Sequence, residues 1–336
     1  MKEAMLYEKL GDKKVLCNLC QHRCKIADGK LGICGVRKNQ EGKLYTLVYG
    51  KAIASHTDPI EKKPLFHFQP GSISFSIATV GCNFRCQFCQ NADIAQMPHD
   101  HGRIMGQDFP PEEVVRATQR AGCQSIAYTY TEPTIFFEYA FDTAKLAQQA
   151  GIKNVFVSNG YMTPEAIETI APYLDAINVD LKTFDDDVYR KYMGAERDKV
   201  LESITATFKA GIWMEITTLV IPTLNDTEEQ MSNIADFIVS LSPDIPWHIS
   251  RFHPAYKMTH LSPTPMESLK MAERIGKEKG LHHIYIGNVW GGGGEDTVCW
   301  NCGELLIRRM GFSLSENRIR EGKCPKCGAR IAGVEM

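Results

Sequence analysis

The placement of the twelve cysteines constrains this chain more than any other feature, because they fall in tight groups. Cys17, Cys20, Cys24 and Cys34 form the first group, Cys82, Cys86 and Cys89 the second, and Cys299, Cys302, Cys324 and Cys327 the third. Disulfide scaffolds are short and cysteine-dense throughout, whereas here no cysteine falls between 124 and 298. Cysteines two or three residues apart read instead as metal or iron–sulfur ligands, so three inorganic sites are expected. Cys123 stands alone at the end of a helical pattern and reads as core.

A length of 336 residues predicts two or three domains. Thirty-eight Lys and Arg against forty Asp and Glu leave the chain near neutral, which argues against a nucleic-acid partner. The opening MKEAMLYEKLGDKK scatters charge and has no apolar core, so no signal peptide is expected. The longest uncharged stretch, 71–84, is too short to span a bilayer, so no membrane partner is expected and the predicted location is cytoplasmic.

The middle of the chain alternates strand-like and helix-like segments. Strands are predicted at Ile73–Thr79, Ser125–Tyr130, Val155–Ser158, Ile177–Leu181, Ile212–Ile221, Ile245–Ser250 and Ile284–Ile286. Helices are predicted from Pro110 to Gly122 and near 134–149, 164–172, 186–193, 199–209, 227–240 and 266–279. Asp226 with Glu229 suggests a capping box for one of them. Such alternation predicts an α/β fold, a parallel sheet of about six βα units curved into a partial barrel with its chemistry at the C-terminal strand ends. Residues 1–70 are expected to form a cysteine-rich N-terminal extension, 71–290 the barrel, and 291–336 a small C-terminal module behind the hinge Gly291–Gly294.

Cys82-Asn83-Phe84-Arg85-Cys86-Gln87-Phe88-Cys89 follows the first of these strands directly. Three thiolates at spacings of four and three can hold three irons of a cubane cluster and leave the fourth open, the mark of a reactive site rather than a structural one. At these residues the chain resembles the radical S-adenosylmethionine (SAM) superfamily, which implies a (β/α)6 partial TIM-like barrel. It also implies a 4Fe–4S cluster on Cys82, Cys86 and Cys89, SAM bound to the open iron, and an electron donor such as flavodoxin or ferredoxin. One electron would break a sulfonium C–S bond, and the resulting 5′-deoxyadenosyl radical would abstract hydrogen from an organic or macromolecular substrate.

Later motifs resemble the same family at successive strand ends. By that resemblance Phe88 packs near the cluster or adenine. Glu132, in Tyr130-Thr131-Glu132-Pro133, meets the SAM amino group, and Ser158 and Asn159 of Ser158-Asn159-Gly160 stand near its methionine moiety. In Asp180-Leu181-Lys182, Lys182 meets the SAM carboxylate while Asp180 orients it, and His253 of Arg251-Phe252-His253-Pro254 reaches SAM. The last motifs resemble glycyl-radical activating enzymes, which makes an activase of the pyruvate formate-lyase type an alternative. Those enzymes carry an aspartate where this chain has Val157, so their monovalent-cation site is not expected here.

Cys17, Cys20, Cys24 and Cys34 suffice for a closed zinc site or an additional iron–sulfur cluster, and spacing does not choose between them. His22 lies within the run and reads as a surface residue. The Cys299/Cys302 and Cys324/Cys327 knuckles, 21 residues apart, read as a zinc ribbon or a rubredoxin-like iron site. In so small a module, structural zinc contributes roughly 10–16 kcal/mol of apparent folding free energy. The cofactor expectation therefore includes zinc at one or both flanking sites, with iron as the alternative. A zinc-stabilised binding module is the reading from another class.

Over nearly its whole length the chain resembles the radical SAM enzymes of the AmmeMemoRadiSam system. The resemblance rests on the Cys-x-x-Cys-x-His-x-Cys run, Gly32-Ile33-Cys34-Gly35-Val36-Arg37, Asp58-Pro59-Ile60-Glu61-Lys62-Lys63-Pro64, 81–91 and Tyr285-Ile286-Gly287-Asn288-Val289. It implies Memo-fold and AMMECR-domain proteins as functional partners.

Overall fold

A computed structural model describes residues 1–289 and 294–336. Its centre is an eight-stranded sheet comprising β1 (Ala54–Pro59), β2 (Ile73–Ala78), β3 (Ser125–Tyr128), β4 (Lys153–Ser158), β5 (Ala176–Asp180), β6 (Trp213–Val220), β7 (Trp247–Arg251) and β8 (Ile284–Gly287). Strands β2 to β8 lie side by side in sequence order and pair in parallel. This is the partial α/β barrel expected of the alternating pattern. All four residues of β3 are buried, as befits a parallel strand covered on both faces.

The sheet also gains an edge that the sequence reading does not contain. β1 pairs antiparallel with β2 from Ala54–Ala78 to Pro59–Ile73, although it belongs to the segment read as N-terminal extension. Its side chains are mostly exposed, so it lacks the apolar alternation that marks a strand, and tertiary pairing alone reveals it.

Helices α1 (Pro111–Arg120), α2 (Phe137–Gln149), α3 (Pro164–Ile170), α4 (Arg197–Lys209), α5 (Glu228–Leu241) and α6 (Met266–Glu278) connect the strands. The N-cap of α5 is Thr227, whose hydroxyl accepts from the Gln230 N–H, and not Asp226. Asp226 instead closes the preceding turn by accepting from the Thr223 N–H. The predicted helix at 186–193 is one α-turn, Asp186–Val188, followed by a wider π-turn, Tyr189–Met193, which ends at Gly194 in the left-handed region.

Residues 60–68 plug the barrel. Ile60, Leu65 and Phe68 pack on Ala127, Val155 and Ala176 of β3, β4 and β5. The plug is also held by polar contacts, since buried Glu215 of β6 accepts from the Phe66 and His67 N–H groups and faces His248 Nε2 at 2.7 Å. The chain's end docks on the same segment, where Arg309 donates to the Phe66 carbonyl and Val334 to that of His67.

Before β1 come two small three-stranded antiparallel sheets. One joins Lys2–Glu3, Lys43–Thr46 and Arg37–Gln40, and the other joins Tyr7–Lys9, Val15–Cys17 and Lys25–Ile26. After β8, Thr297–Val298, Leu305–Met310 and Ser313–Asn317 make a third such sheet with its own small core. Of the expected glycine hinge, Gly291 to Gly293 lie outside the described residues. Cys123 is buried in the core, as read. Among the described residues no helix is long and apolar enough to cross a membrane.

Candidate active site

The loop after β2 carries Cys82, Cys86 and Cys89, and its main chain is tied down on several sides. The N–H groups of Arg85 and Gln87 donate to the Met193 and Tyr192 carbonyls of the π-turn. Its carbonyls are engaged as well, that of Phe84 by Gln96 Nε2, that of Asn83 by His22 Nε2 at 2.8 Å, and that of Gln87 by the Lys257 N–H. A π-turn exposes carbonyls that a regular helix would use internally, which suits it to pinning a functional loop. His22, read as a surface residue, is therefore half-buried between this loop and the Tyr161 ring.

All three thiols line a cavity of about 490 Å³ at the C-terminal strand ends. Phe88, Glu132, Ser158, Asn159, Asp180 and Lys182 line the same cavity. His253 does not. β7 ends at Arg251, and the imidazole Nε2 faces the Asn288 carbonyl at 3.3 Å. A strand end fixes where a residue begins, but not where its side chain goes.

The second and third strand ends are joined through Glu132. Buried Glu132 accepts from Thr134 N–H and Oγ, from Ser158 Oγ at 2.8 Å and from the Asn159 N–H at 2.8 Å. It thus caps the short helix before α2 and fixes the Ser158–Asn159 turn, and burial raises its carboxyl above the usual range. Asn159 Nδ2 donates to Asn83 Oδ1 at 2.8 Å, while Asn159 Oδ1 is buried with no partner among the described residues. Gly160 is required in this turn. Its φ is +67°, and a Cβ there would lie 2.6 Å from Val179 Cγ1.

Lys182 Nζ donates to Asp180 Oδ2 at 2.9 Å and lies 5.8 Å from the Phe88 ring centroid. Burial alone would lower its pKa, but the Asp180 carboxylate beside it outweighs burial and raises it, so Lys182 stays an ammonium. Burial pushes the Cys86 thiol up to about 12 and raises Cys82 and Cys89 too. Deprotonation of all three would come from a bound metal.

Sequence reasoning gave no role to Lys62, Lys63 and Tyr130, which also line the cavity. Asp58 accepts from Lys62 Nζ at 2.8 Å, Lys63 Nζ at 2.7 Å, Ser76 Oγ at 2.8 Å and the Tyr130 hydroxyl. Tyr130 holds a φ of +61°, rare for an aromatic residue, and is anchored by that bond and by Asn91 Nδ2 on its carbonyl. The motif Asp58–Pro64 was visible, but its reach into the cavity depends on β1 pairing beside β2.

The Asp58 cluster has a pH signature. Burial would raise the carboxyl, but hydrogen bonds from Lys62, Lys63 and Tyr130 outweigh it and hold Asp58 below the usual carboxylate range. A depressed folded pKa stabilises the fold above the unfolded value, about 3.9, and that contribution is lost as pH falls towards the folded value. Urea midpoints should therefore show the gap between wild type and Asp58→Asn widest at neutral pH and shrinking below about pH 4. A gap independent of pH would contradict this account.

The other cysteine groups are also gathered. Cys299, Cys302, Cys324 and Cys327 have all four Sγ atoms within 4.8 Å of one another. Cys17, Cys20, Cys24 and Cys34 line a single small cavity together with Arg37.

A partial α/β barrel with a three-thiol loop at its first parallel strand defines a barrel enzyme of the metal-cluster type. Residues 76–238 match the Radical SAM superfamily, and the chain belongs to that superfamily. It is similar to the Methanocaldococcus jannaschii protein MJ0808, with 44% identity over 98% of this chain and 99% of that one. It is also similar to the pyruvate formate-lyase-activating enzyme of Clostridium pasteurianum, with 24% identity over 59% of this chain and 87% of that enzyme. Among solved structures, Streptococcus suis SuiB bound to S-adenosylmethionine shares the fold at a TM-score of 0.51 and 16% identity, over 68% of this chain and 53% of that one. A Sphaerobacter thermophilus radical SAM methyltransferase does so at 0.52 and 15%, over 71% of both. The superfamily implies an enzyme with a 4Fe–4S cluster, SAM and a reductant.

Proposed function

We propose that Cys82, Cys86 and Cys89 hold the 4Fe–4S cluster and that SAM binds its open iron within the cavity. The chemistry supplied when both are bound is one-electron cleavage of a sulfonium C–S bond, releasing a 5′-deoxyadenosyl radical that abstracts hydrogen from a substrate. The carrying observation is that three thiols of one pinned loop, a largely buried ammonium and an amide oxygen without a partner among the described residues converge on one cavity.

Each residue has a task its chemistry suits. Lys182, kept charged by Asp180, meets the SAM carboxylate in a charge-assisted hydrogen bond. Asn159 Oδ1, rather than Glu132 as the resemblance implied, accepts from the SAM amino group, because both Glu132 oxygens already accept from Thr134, Ser158 and Asn159. Glu132 acts through Ser158 and Asn159 as a positioning residue. Phe88 covers the cluster side and keeps water out. Lys62 and Lys63 give the substrate wall positive charge, and burial lowers Lys63 to about 8.

Anaerobically reconstituted protein given SAM and a low-potential reductant should form 5′-deoxyadenosine, read by chromatography, and should form none without reductant. No product above a cluster-free control would overturn the proposal. The motifs Ser158–Gly160 and Asp180–Lys182 and the activating-enzyme relatives favour a second reading, a glycyl-radical activase. A glycyl EPR doublet on a candidate lyase would support it. Memo-fold and AMMECR-domain proteins as partners, a cytoplasmic location and zinc in the C-terminal quartet complete the proposal. For a single tetrahedral ion there, zinc or the iron alternative, the Sγ pairs Cys299–Cys327 at 3.6 Å and Cys302–Cys324 at 3.7 Å give support. Metal–sulfur bonds of about 2.3 Å in a tetrahedron put neighbouring sulfurs about 3.8 Å apart.

A further inference from the structure

From the geometry of the first four cysteines we infer that Cys17, Cys20, Cys24 and Cys34 hold a polynuclear iron–sulfur cluster, separate from the catalytic one, and not a zinc ion. The decisive contrast lies within the molecule. The C-terminal quartet is drawn into a cage that fits one tetrahedral ion. The N-terminal four line one cavity, yet among the described residues no three of them bring their Sγ atoms within 4.8 Å of one another. The same is true of Cys82, Cys86 and Cys89. One zinc with bonds of about 2.3 Å would draw its sulfurs to about 3.8 Å apart, and among the described residues no three of these thiols come so close together. A cubane gives each thiolate its own iron and so needs a larger polyhedron of sulfurs.

A second observation points to an anionic occupant. Arg37 lines the same cavity with its guanidinium buried. Its two terminal nitrogens are used, by Glu138 at 2.8 and 2.9 Å and by the Met5 carbonyl, while its Nε is buried with no partner among the described residues. A buried N–H without an acceptor is costly and calls for an unseen partner. The sulfurs of a cluster carrying four thiolates would supply both the acceptor and the negative charge.

The site also backs onto the catalytic loop. A Cβ at Gly81, the residue before Cys82, would lie 2.8 Å from Val36 Cγ1 and 3.3 Å from the Cys34 carbonyl oxygen, and φ there is +102°. With the His22–Asn83 contact, this makes the four-thiol segment the rear wall of the cysteine loop.

The test uses the full chain lacking its catalytic thiols, with Cys82→Ala, Cys86→Ala and Cys89→Ala combined, reconstituted anaerobically with iron and sulfide. It should retain iron and acid-labile sulfide in equal amounts, with visible charge-transfer absorbance. Adding Cys20→Ala and Cys34→Ala should remove both, whereas adding Cys302→Ala should leave the sulfide in place. Zinc without sulfide, or no sulfide at all, in the triple variant would overturn the inference. A single iron in the C-terminal cage brings no sulfide, so it cannot mimic the result. Because quartet variants can misfold, sulfide retention in the triple variant decides the matter. SAM cleavage by the wild type is read separately, so failure of the catalytic proposal would be distinguishable.

Discussion

Cys86→Ala should abolish reductive cleavage of SAM, leaving 5′-deoxyadenosine at the level of a cluster-free control. Losing a group that merely supports a metal ligand typically costs about 10–100-fold in affinity or activity. Removing one of three ligands should cost more, because two thiols on a loop do not hold a cubane. The fold should survive. Cys86 is a small buried side chain, and the loop around it is held by main-chain hydrogen bonds from Arg85 and Gln87 that alanine leaves intact. The measurements are product yield, cluster absorbance and a denaturation midpoint, and retained activity would remove Cys86 from the ligand set. Lys182→Met makes the sharper contrast. It should keep the cluster and lose one charge-assisted hydrogen bond, worth about 1.5–3 kcal/mol, which raises the KM for SAM roughly ten- to a hundred-and-fifty-fold.

The site was more legible in the sequence than the surfaces that frame it, for a physical reason. In a parallel sheet every strand end faces the same way, so motifs that follow predicted strands are bound to meet. Cys82, Glu132, Ser158 and Asp180 do meet around one cavity. Side-chain direction is another matter, and His253 faces the Asn288 carbonyl. β1 was hidden because an exposed edge strand carries little apolar periodicity, and Lys62 and Lys63 were hidden with it. His22 could not be placed from its neighbours, since its partner Asn83 lies 61 residues on. The three cysteine groups were plain from spacing. The feature that separates one ion from a cluster, the distance between sulfurs, belongs to the fold alone.

Glu138→Ala should cost about 3–5 kcal/mol, the range for a buried charge left without its partner. That is a large part of the roughly 5–15 kcal/mol that holds most folded proteins together. Glu138, on α2 of the barrel, accepts from both terminal nitrogens of Arg37 and from the Met5 N–H at 2.6 Å, and its side chain is fully buried. It is therefore the electrostatic rivet between the barrel and the four-cysteine segment. Without it the Arg37 guanidinium faces a cavity lined by thiols with no carboxylate beside it. The loss should consequently be larger in metal-free protein than after reconstitution, when cluster charge partly offsets the missing carboxylate. Urea midpoints of wild type and variant, each with and without the cluster, give four stabilities and one coupling free energy. Equal losses in the two states would show that Arg37 does not feel the occupant of that cavity. A loss below about 1 kcal/mol would show that the guanidinium finds water or another partner once Glu138 is gone.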